Sequence, residues 1–352
     1  MQSYETRRTT LDPSDMMGLV ERFPDDCLRA WESAAAWSVP ALPAKHLLLL
    51  GMGGSAIGAD LLRAYLEPSA TIPITVCRDY EVPAFVDADT VCIAISYSGN
   101  TEETLSAYAD ARRRGARGLA ISTGGKLQAR AAADGVPCFP LAPGLPPRAS
   151  LPWSFFSLLR VVAGLGIWVE QDAAVRALHA RLREAAARWG PAAADSPALA
   201  LANSLQDSVP IVYGAGRGLP TVAYRWKCQI NENPKMAAAC AALPEANHNE
   251  QAGFSSPHPE ADYARLAVVM LTDPAARVEV RNRARVTADY LRGRMPVYEV
   301  EAEGDTLLER MLLLILLGDF VSVYLAWVRE IDPTPVEAIE LLKGRLAALR
   351  GE

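Results

Sequence analysis

The chain has 352 residues, half of them hydrophobic and 22% charged, and this composition excludes a disordered or a fibrous protein. Its length predicts about two domains. The 35 basic and 41 acidic residues give a net charge of −6, so neither nucleic acid nor an anionic membrane is expected as a partner bound over a broad surface. Any anion should therefore bind at a local site.

The N-terminus and one apolar segment bear on membrane targeting. The opening MQSYETRRTT has no apolar stretch behind its charges, so no secretory signal is expected. The segment 311–328 is about as long as a membrane span, but Gly318 and Asp319 interrupt it, and a carboxylate inside a bilayer is costly. We predict a helix buried in a core or at a subunit interface, in a cytoplasmic protein that has no membrane partner.

The six cysteines lack the paired CxxC spacing of a zinc site, and several lie in apolar runs. We expect buried, reduced thiols, as is usual for cytoplasmic proteins. No disulfide framework and no metal site is predicted.

In chain order, the first half alternates between predicted helices and strands. A helical pattern covers 14–38 and is broken near Pro24. It is followed by apolar runs at 47–50, 74–77, 91–95, 119–122 and 136–139, with helical patterns at 59–66 and 101–114. Continuous apolar strands separated by helices indicate a parallel sheet covered on both faces.

The second half repeats this arrangement. The strand 210–213 runs into a glycine loop, as the strand 47–50 does, and a helical pattern follows at 221–230. Strands at 266–271 and 297–300 flank a helical pattern at 275–292. The repetition predicts a duplication of one doubly wound α/β unit. We divide the chain into an N-terminal helical segment 1–40, a first domain 41–165, a helical linker 166–195, a second domain 196–302 and C-terminal helices 303–352.

The first glycine loop, Gly51–Ser55, leaves a strand and enters a helix. Glycines let the backbone approach a ligand, and a helix N-terminus offers free N–H groups, so the loop suits a phosphate. The spacing of Gly51, Gly53 and Ala56 also approximates a dinucleotide fingerprint, with Asp79 available as the acidic residue after the second strand. A nicotinamide-dependent oxidoreductase is therefore one reading of this loop.

A run of hydroxyl groups follows the strand 91–95. Ser96, Ser98 and Thr101 stand beside Gly99, where the next helix begins, and could converge on one anion. Ordinary N-capping by Ser98 or Thr101 explains one of these hydroxyl groups but leaves the others unexplained. The cluster therefore favours a phosphate site.

The GMGGS loop and the segment Ser96–Thr104 together resemble the sugar isomerase (SIS) domain family. Two downstream segments, QINENPK at 229–235 and the NHNE at 247–250, are similar to those of bifunctional phosphoglucose/phosphomannose isomerases, and the resemblance covers about 40–345. It implies an α/β fold of two tandem flavodoxin-like SIS domains, with parallel sheets flanked by helices and further helices at both ends. It also implies a phosphorylated hexose substrate and no cofactor.

The resemblance assigns roles by motif. Glu232 is the base that moves a proton between C1 and C2, and His248 serves ring opening from the partner subunit of a homodimer with shared active sites. Lys343, in the C-terminal helix after a proline-containing turn, belongs to the site. The residues matched to the substrate and phosphate loops are Gly53, Gly54, Ser55, Ser96, Ser98 and Thr101, with Arg148 beside the active site. The hydroxyl residue that shapes the family's pocket falls nearest Val336, with Thr334 just before it.

These residue types suit aldose–ketose isomerisation. One carboxylate can take a proton from C2 and return it at C1 through a cis-enediol, and this step requires no metal. Histidine exchanges protons near neutral pH, as ring opening needs, and an arginine can stabilise enediolate charge. The sequence thus predicts interconversion of glucose 6-phosphate and mannose 6-phosphate with fructose 6-phosphate.

A non-catalytic phosphosugar sensor is the alternative from another class. Such a protein would need an output module, and no helix-turn-helix with a basic face is evident at either end of the sequence. The presence of both Glu232 and His248 favours catalysis. A homodimer is further expected because the 311–328 helix carries more apolar surface than a helix with a solvated face can hide.

Overall fold

Two parallel sheets, one in each half of the chain, carry the architecture. The computed structural model describes residues 4–169 and 171–350. The first sheet has the strand order β2-β1-β3-β4-β5, and the second has the order β7-β6-β8-β9. The nine strands are β1 (His46–Leu50), β2 (Ile74–Cys77), β3 (Thr90–Ser96), β4 (Arg117–Ser122), β5 (Cys138–Pro140), β6 (Val209–Ala215), β7 (Ala239–Leu243), β8 (Leu266–Thr272) and β9 (Val297–Glu301).

Helices cover the faces of both sheets. The helices of the first half are α1 (Tyr4–Leu11), α2 (Met16–Glu21), α3 (Phe23–Ala34), α4 (Gly53–Leu66), α5 (Glu102–Arg113), α6 (Gly125–Ala133) and α7 (Leu151–Gly164). Those of the second half are α8 (Asp172–Trp189), α9 (Pro197–Leu205), α10 (Leu219–Glu232), α11 (Pro259–Asp262), α12 (Val278–Arg292), α13 (Leu307–Val328) and α14 (Glu337–Arg350). Short 3₁₀ helices lie at Pro147–Ala149, Glu245–His248 and Glu250–Phe254.

The predicted fold class is confirmed: the protein is α/β, with two parallel sheets flanked by helices. The predicted strands 47–50, 74–77, 91–95 and 119–122 all join the first sheet, together with β5. β7 is not predicted from the sequence, because its ACAAL sequence is short and contains no β-branched residue. The predicted start of α4 is also too late, at 59 instead of Gly53, because the glycines of its first turn resemble a loop.

In each sheet the order in which successive strands are added reverses at one point. β1 pairs with β2 on one side and β3 on the other, and β6 pairs with β7 and β8 in the same way. Ligands of open parallel sheets bind in the crevice beyond the carboxyl ends of the strands at such a switch point. The fold therefore offers two equivalent crevices, one at β1/β3 and one at β6/β8.

The apolar helix α13 lies inside the protein. Its length and hydropathy would allow it to span a membrane, but 89% of its most apolar 18-residue window is buried in the protein. It packs against α8, α9 and α10, and Thr306 and Glu309 form a capping box at its start. Of the two predicted locations, the core is the observed one, and the argument that α13 hides its apolar surface in a dimer interface is wrong.

Asp319 is the one acidic residue in the middle of α13, and it is almost completely buried. Arg225 of α10 donates to its Oδ2 at 2.7 Å, and Gln229 donates to its Oδ1 at 2.9 Å. Burial raises the pKa of the Asp319 carboxyl, and the two donors from α10 oppose this change. The carboxylate thus fixes how α10 lies along α13.

We expect Asp319→Leu to lower the free energy of unfolding by about 3–5 kcal/mol, because it leaves the Arg225 guanidinium buried without its counter-charge. Chemical denaturation measures this loss. Asp305→Ala, which breaks the exposed pair with Arg181, should cost less than about 1 kcal/mol. The double variant Arg225→Met/Asp319→Leu should lose less than Asp319→Leu alone, and a loss as large in the double variant would contradict the buried-charge explanation.

Candidate active site

Two helices begin at the crevice between β1 and β3. α4 starts at Gly53 directly after β1, and α5 starts at Glu102 shortly after β3. Among the described residues, neither helix has a side chain capping its first N–H groups. Free N–H groups at helix starts attract anions, and here two such groups of donors face one crevice.

The predicted hydroxyl cluster forms at this crevice. Ser96 and Thr101 place their Oγ atoms 3.0 Å apart, and the Ser55 hydroxyl accepts from the backbone N–H of Tyr97 at 3.2 Å. Ser98 is exposed in the turn between them, where its Oγ accepts from the Asn100 N–H. Thr101 occupies the N-cap position of α5, but its hydroxyl lies toward Ser96 and does not cap the helix. The alternative of ordinary N-capping therefore does not hold for Thr101.

The phosphate loops abut the short helix that carries Arg148. A Cβ placed on Gly54 would lie 2.4 Å from the carbonyl oxygen of Pro147, so only glycine allows this approach. Tyr97 supports the same segment, because its hydroxyl donates to the Ala142 carbonyl and accepts from the Leu145 N–H. The glycine loop and the serine-rich turn thus position Arg148 beside the crevice.

Arg148 is buried, and its guanidinium is held on three sides. Its Nε donates to Asn233 Oδ1 at 2.7 Å, and its Nη2 donates to the carbonyl oxygens of Pro333 and Thr334. Its Nη1 lies 3.5 Å from Oε2 of Glu232. Burial lowers the pKa of Arg148, while the charge of Glu232 opposes this shift. The first domain therefore places the buried Arg148 guanidinium next to the Glu232 carboxylate of the second domain.

Glu232 ends α10 and opens onto a pocket of about 650 Å³. Its side chain is 31% exposed, so a small molecule can reach the carboxylate. The pocket is lined by Asn231, Glu232, Lys235, Met236, Asp332, Pro335, Val336, Glu337, Ala338 and Ile339. Backbone from the α13–α14 connection and the start of α14 forms the wall opposite α10.

Lys235 organises the pocket, although no role is predicted for it from the sequence. Its Nζ donates to four carbonyl oxygens, those of Glu232, Asn233, Asp332 and Pro333. These bonds tie the end of α10 to the connection before α14. They also accompany a left-handed backbone at Lys235 (φ 54°), which is rare for a residue other than glycine. Nothing in the NENPK motif distinguishes such a lysine from a solvated one.

Thr334 and Val336, the two candidates for the pocket-shaping residue, both lie by this pocket. Val336 lines its wall. Thr334 has a buried hydroxyl without a hydrogen-bond partner in the described part of the chain, while its carbonyl accepts from Arg148. A buried hydroxyl of this kind is rare in folded proteins, where most buried polar groups are hydrogen-bonded.

Neither His248 nor Lys343 lines the pocket of Glu232 in the described chain. His248 is exposed at the end of a 3₁₀ helix after β7, and Lys343 is exposed on α14. Within residues 4–169 and 171–350, neither side chain has a hydrogen-bond or ion-pair partner. Lys343 does follow Ile339 by four residues, which puts it on the same face of α14 as that pocket residue.

The remaining candidates take structural positions. The Asp79 carboxylate accepts from the N–H of Tyr80 in an exposed turn. His179 pairs with Asp25 at 2.8 Å, and this contact lowers the pKa of Asp25. All six cysteines are free thiols in the described chain; Cys27, Cys77 and Cys92 are buried as predicted, whereas Cys138, Cys228 and Cys240 are only half-buried. Among the described residues, no group of three histidine, cysteine or acidic side chains is arranged to hold a metal ion.

Known proteins resemble this chain along nearly all of its length. The family model of the bacterial phospho-glucose isomerase C-terminal SIS domain matches residues 194–346, and the SIS domain model matches residues 42–134. The bifunctional phosphoglucose/phosphomannose isomerase of Caldicellulosiruptor bescii is 39% identical over 95% of this chain and 100% of its own length. The enzyme of the same name from Aquifex aeolicus is 36% identical over 90% of this chain and 94% of its own. A crystal structure of a hypothetical protein from Thermus thermophilus matches the fold with a TM-score of 0.72 at 16% identity, covering 99% of this chain and 94% of that one.

Lys235 should make stability depend on pH in a characteristic direction. Burial, with Arg148 nearby, lowers its pKa to about 8 from the usual 10.5. Between these two values the unfolded chain binds more protons than the native protein, so the free energy of unfolding should rise with pH relative to that of Lys235→Met. Urea denaturation of both proteins from pH 7 to 10.5 measures the difference.

Lys45 provides a control, because its pKa is shifted in the opposite direction. Its Nζ lies 2.6 Å from Asp89 Oδ2, and this contact raises its pKa. The stability difference between the wild type and Lys45→Met should therefore stay level until the pH approaches 10.5, where it begins to fall. A level difference for Lys235→Met as well would contradict the depressed pKa.

Proposed function

The chain belongs to the bifunctional phosphoglucose/phosphomannose isomerase family, and we propose that it interconverts glucose 6-phosphate and mannose 6-phosphate with fructose 6-phosphate through a cis-enediol intermediate. It is an isomerase of the aldose–ketose type that acts on phosphosugars. The observation that carries the specific proposal is the Arg148–Glu232 pair, in which Glu232 lines a pocket and Arg148 belongs to the short helix packed against the glycine loop of the first domain. Its six free thiols suit a reducing cytoplasm.

The phosphate group of the substrate binds at the start of α5 in this proposal. Ser96, Ser98 and Thr101 supply hydroxyl donors, and Ser55 supplies another from the adjoining loop. The uncapped N–H groups of α4 and α5 add backbone donors, with Gly53 and Gly54 allowing the phosphate to approach the backbone of α4. This site binds an anion without a lysine.

Proton transfer is assigned to Glu232. Its carboxylate takes the proton from C2 of the open-chain aldose while the carbonyl oxygen at C1 gains a proton, which gives the cis-enediol. The C2 hydroxyl then loses its proton as the carboxylate returns the abstracted proton to C1, which gives the ketose. The Nη1 group of Arg148, 3.5 Å from the carboxylate, is placed to stabilise negative charge on the enediolate oxygens. Glucose and mannose 6-phosphates differ only at C2, so one enediol serves both sugars.

Ring opening is assigned to His248 of a second copy of the chain. Within one described chain neither His248 nor Lys343 lines the pocket of Glu232, and both are exposed. The helix α14, which carries Lys343, also exposes Ile339, Leu341, Leu342, Leu346 and Leu349. A run of exposed apolar side chains marks an interaction surface. These features, rather than α13, support a homodimer whose active sites are shared.

A phosphosugar sensor remains the alternative from another class. A sensor needs only the phosphate site, whereas the Arg148–Glu232 pair and the reachable carboxylate are suited to a reaction. The two readings differ in whether a C–H bond of the sugar exchanges its proton.

We expect Glu232→Gln to lower kcat for both sugars by about 10²–10⁴-fold, because the amide keeps the size of the side chain but cannot accept the proton. Fructose 6-phosphate should still bind, as calorimetry can measure. Deuterium incorporation from D₂O into fructose 6-phosphate should fall in parallel. Glu337→Gln removes another carboxylate that lines the same pocket and should leave both readouts within a few-fold of the wild type.

Two outcomes would overturn this assignment. Normal deuterium incorporation in Glu232→Gln would mean that another group is the base. A wild-type protein that binds fructose 6-phosphate but exchanges no deuterium would be a sensor.

Subunit complementation tests the shared site. Mixed dimers of Glu232→Gln and His248→Ala chains contain one site with the native Glu232 of one chain and the native His248 of the other. If His248 acts across the interface, activity should return to about half that of the wild type per mixed dimer. If both residues act within one chain, each site in the mixed dimer carries a defect, so activity should stay as low as that of the two parent variants.

A further inference from the structure

The crevice between β6 and β8 contains a second pocket, at the place equivalent to the phosphate site of the first sheet. It measures about 520 Å³. Three arginines and one aspartate contribute to its lining, namely Arg217, Arg277, Arg310 and Asp273. Leu243, Val280 and Leu307 add an apolar wall. None of these residues takes part in the proposed isomerisation.

The loops around this pocket are built to approach each other closely. A Cβ on Gly216 would lie 2.7 Å from Cβ of Asp273, so the β6–α10 loop and the β8–α12 loop meet in a way that a side chain at 216 would prevent. A Cβ on Gly214 would come similarly close to the backbone of Leu219, and one on Gly218 would come close to the Met311 side chain. Close backbone approach at a switch point is also how the first sheet forms its phosphate site.

The charge of the pocket is positive and only partly neutralised. Arg310 is nine-tenths buried, and its Nε lies 3.0 Å from Asp273 Oδ1 without hydrogen-bond geometry in the described chain. The Asp273 carboxylate is further satisfied by the Ala275 N–H, so Arg310 and this donor offset its charge. Arg277 pairs with Glu279 at the surface, while Arg217 is exposed and has no partner among the described residues.

The pocket is connected to the active site by two parallel helices. α10 and α13 meet through Gly218 and Met311, then Trp226 and Leu314, and finally Asn233 and Ser322. Both helices begin at the pocket. α10 ends at Glu232, about 20 Å away at 1.5 Å per residue, and α13 leads into the connection that accepts from Arg148 and Lys235.

We propose that this pocket, lined by Arg217, Asp273, Arg277 and Arg310, is an effector site for a phosphomonoester. The phosphate lies among the arginines, whose planar groups suit its oxygen atoms, and the uncharged part of the ligand lies against Leu243 and Val280. The occupied site acts on Glu232 through α10 and on Arg148 through α13.

Phenyl phosphate is the probe, because it has the charge and an apolar body but cannot isomerise. Calorimetry is done in the Ser98→Ala/Thr101→Ala background, which weakens binding at the first phosphate site. Saturable binding is expected there, and adding Arg217→Ala should raise its Kd about tenfold or more. Arg217 is exposed and has no partner in the described part of the chain, so its removal should leave the fold intact. Arg285→Ala, which removes an exposed charge on α12 outside the pocket lining, should leave the Kd unchanged.

Kinetics of the wild type test the effector role. Phenyl phosphate should change kcat at saturating fructose 6-phosphate, which a competitor at the first phosphate site cannot do, and Arg217→Ala should abolish the change. Equal binding with and without Arg217→Ala would overturn the site. Binding that depends on Arg217 but leaves kcat unaltered would overturn the effector role. The binding measurement does not depend on catalysis, so it is independent of the proposed isomerase mechanism.

Discussion

The buried ion pair between Arg225 and Asp319 is the interaction on which the rest of the site depends. A carboxylate in an otherwise apolar helix cannot be left alone in the core, because an unpaired buried charge is far more costly than a paired one. Arg225 and Gln229 satisfy it from α10, and Arg225 also donates to the Arg148 carbonyl. The pair thereby fixes three elements against one another, namely α10, α13 and the short helix that carries Arg148.

Further polar contacts connect this pair to Arg148 and Glu232. Asn233 donates to Ser322 of α13 and accepts from Nε of Arg148, so one amide joins both sides of the network. Lys235 then closes the pocket by binding carbonyl groups from α10 and from the connection before α14. A network in which most donors and acceptors are paired is rigid, and rigidity keeps Arg148 and Glu232 together in a partly open pocket.

The two sheets share one architecture but differ in the chemistry of their crevices. At the first crevice, hydroxyl groups and uncapped helix starts face the ligand region, and the loops contain little charge. At the second, arginine and aspartate take the corresponding places. A duplicated fold therefore supplies two crevices in equivalent positions, and the two crevices differ in the residues of their loops.

The sequence by itself determined the fold class and the loops of the first domain, because both depend on local patterns. Continuous apolar strands followed by glycines identified the parallel sheets, and Ser96, Ser98 and Thr101 were adjacent enough to be recognised as one cluster. β7 was not predicted because its alanines show neither the β-branched composition nor the alternating apolar pattern that indicates a strand.

Only the tertiary structure decided what lies far apart in the chain. That Arg148 meets Glu232, that Lys235 is a clamp and that α13 is a core helix all depend on contacts between residues separated by dozens of positions. The sequence does not distinguish a solvated charged side chain from a buried one, because packing in the folded protein determines which residue pairs with it. The same limit applies between subunits for His248, because this residue is exposed in one folded chain.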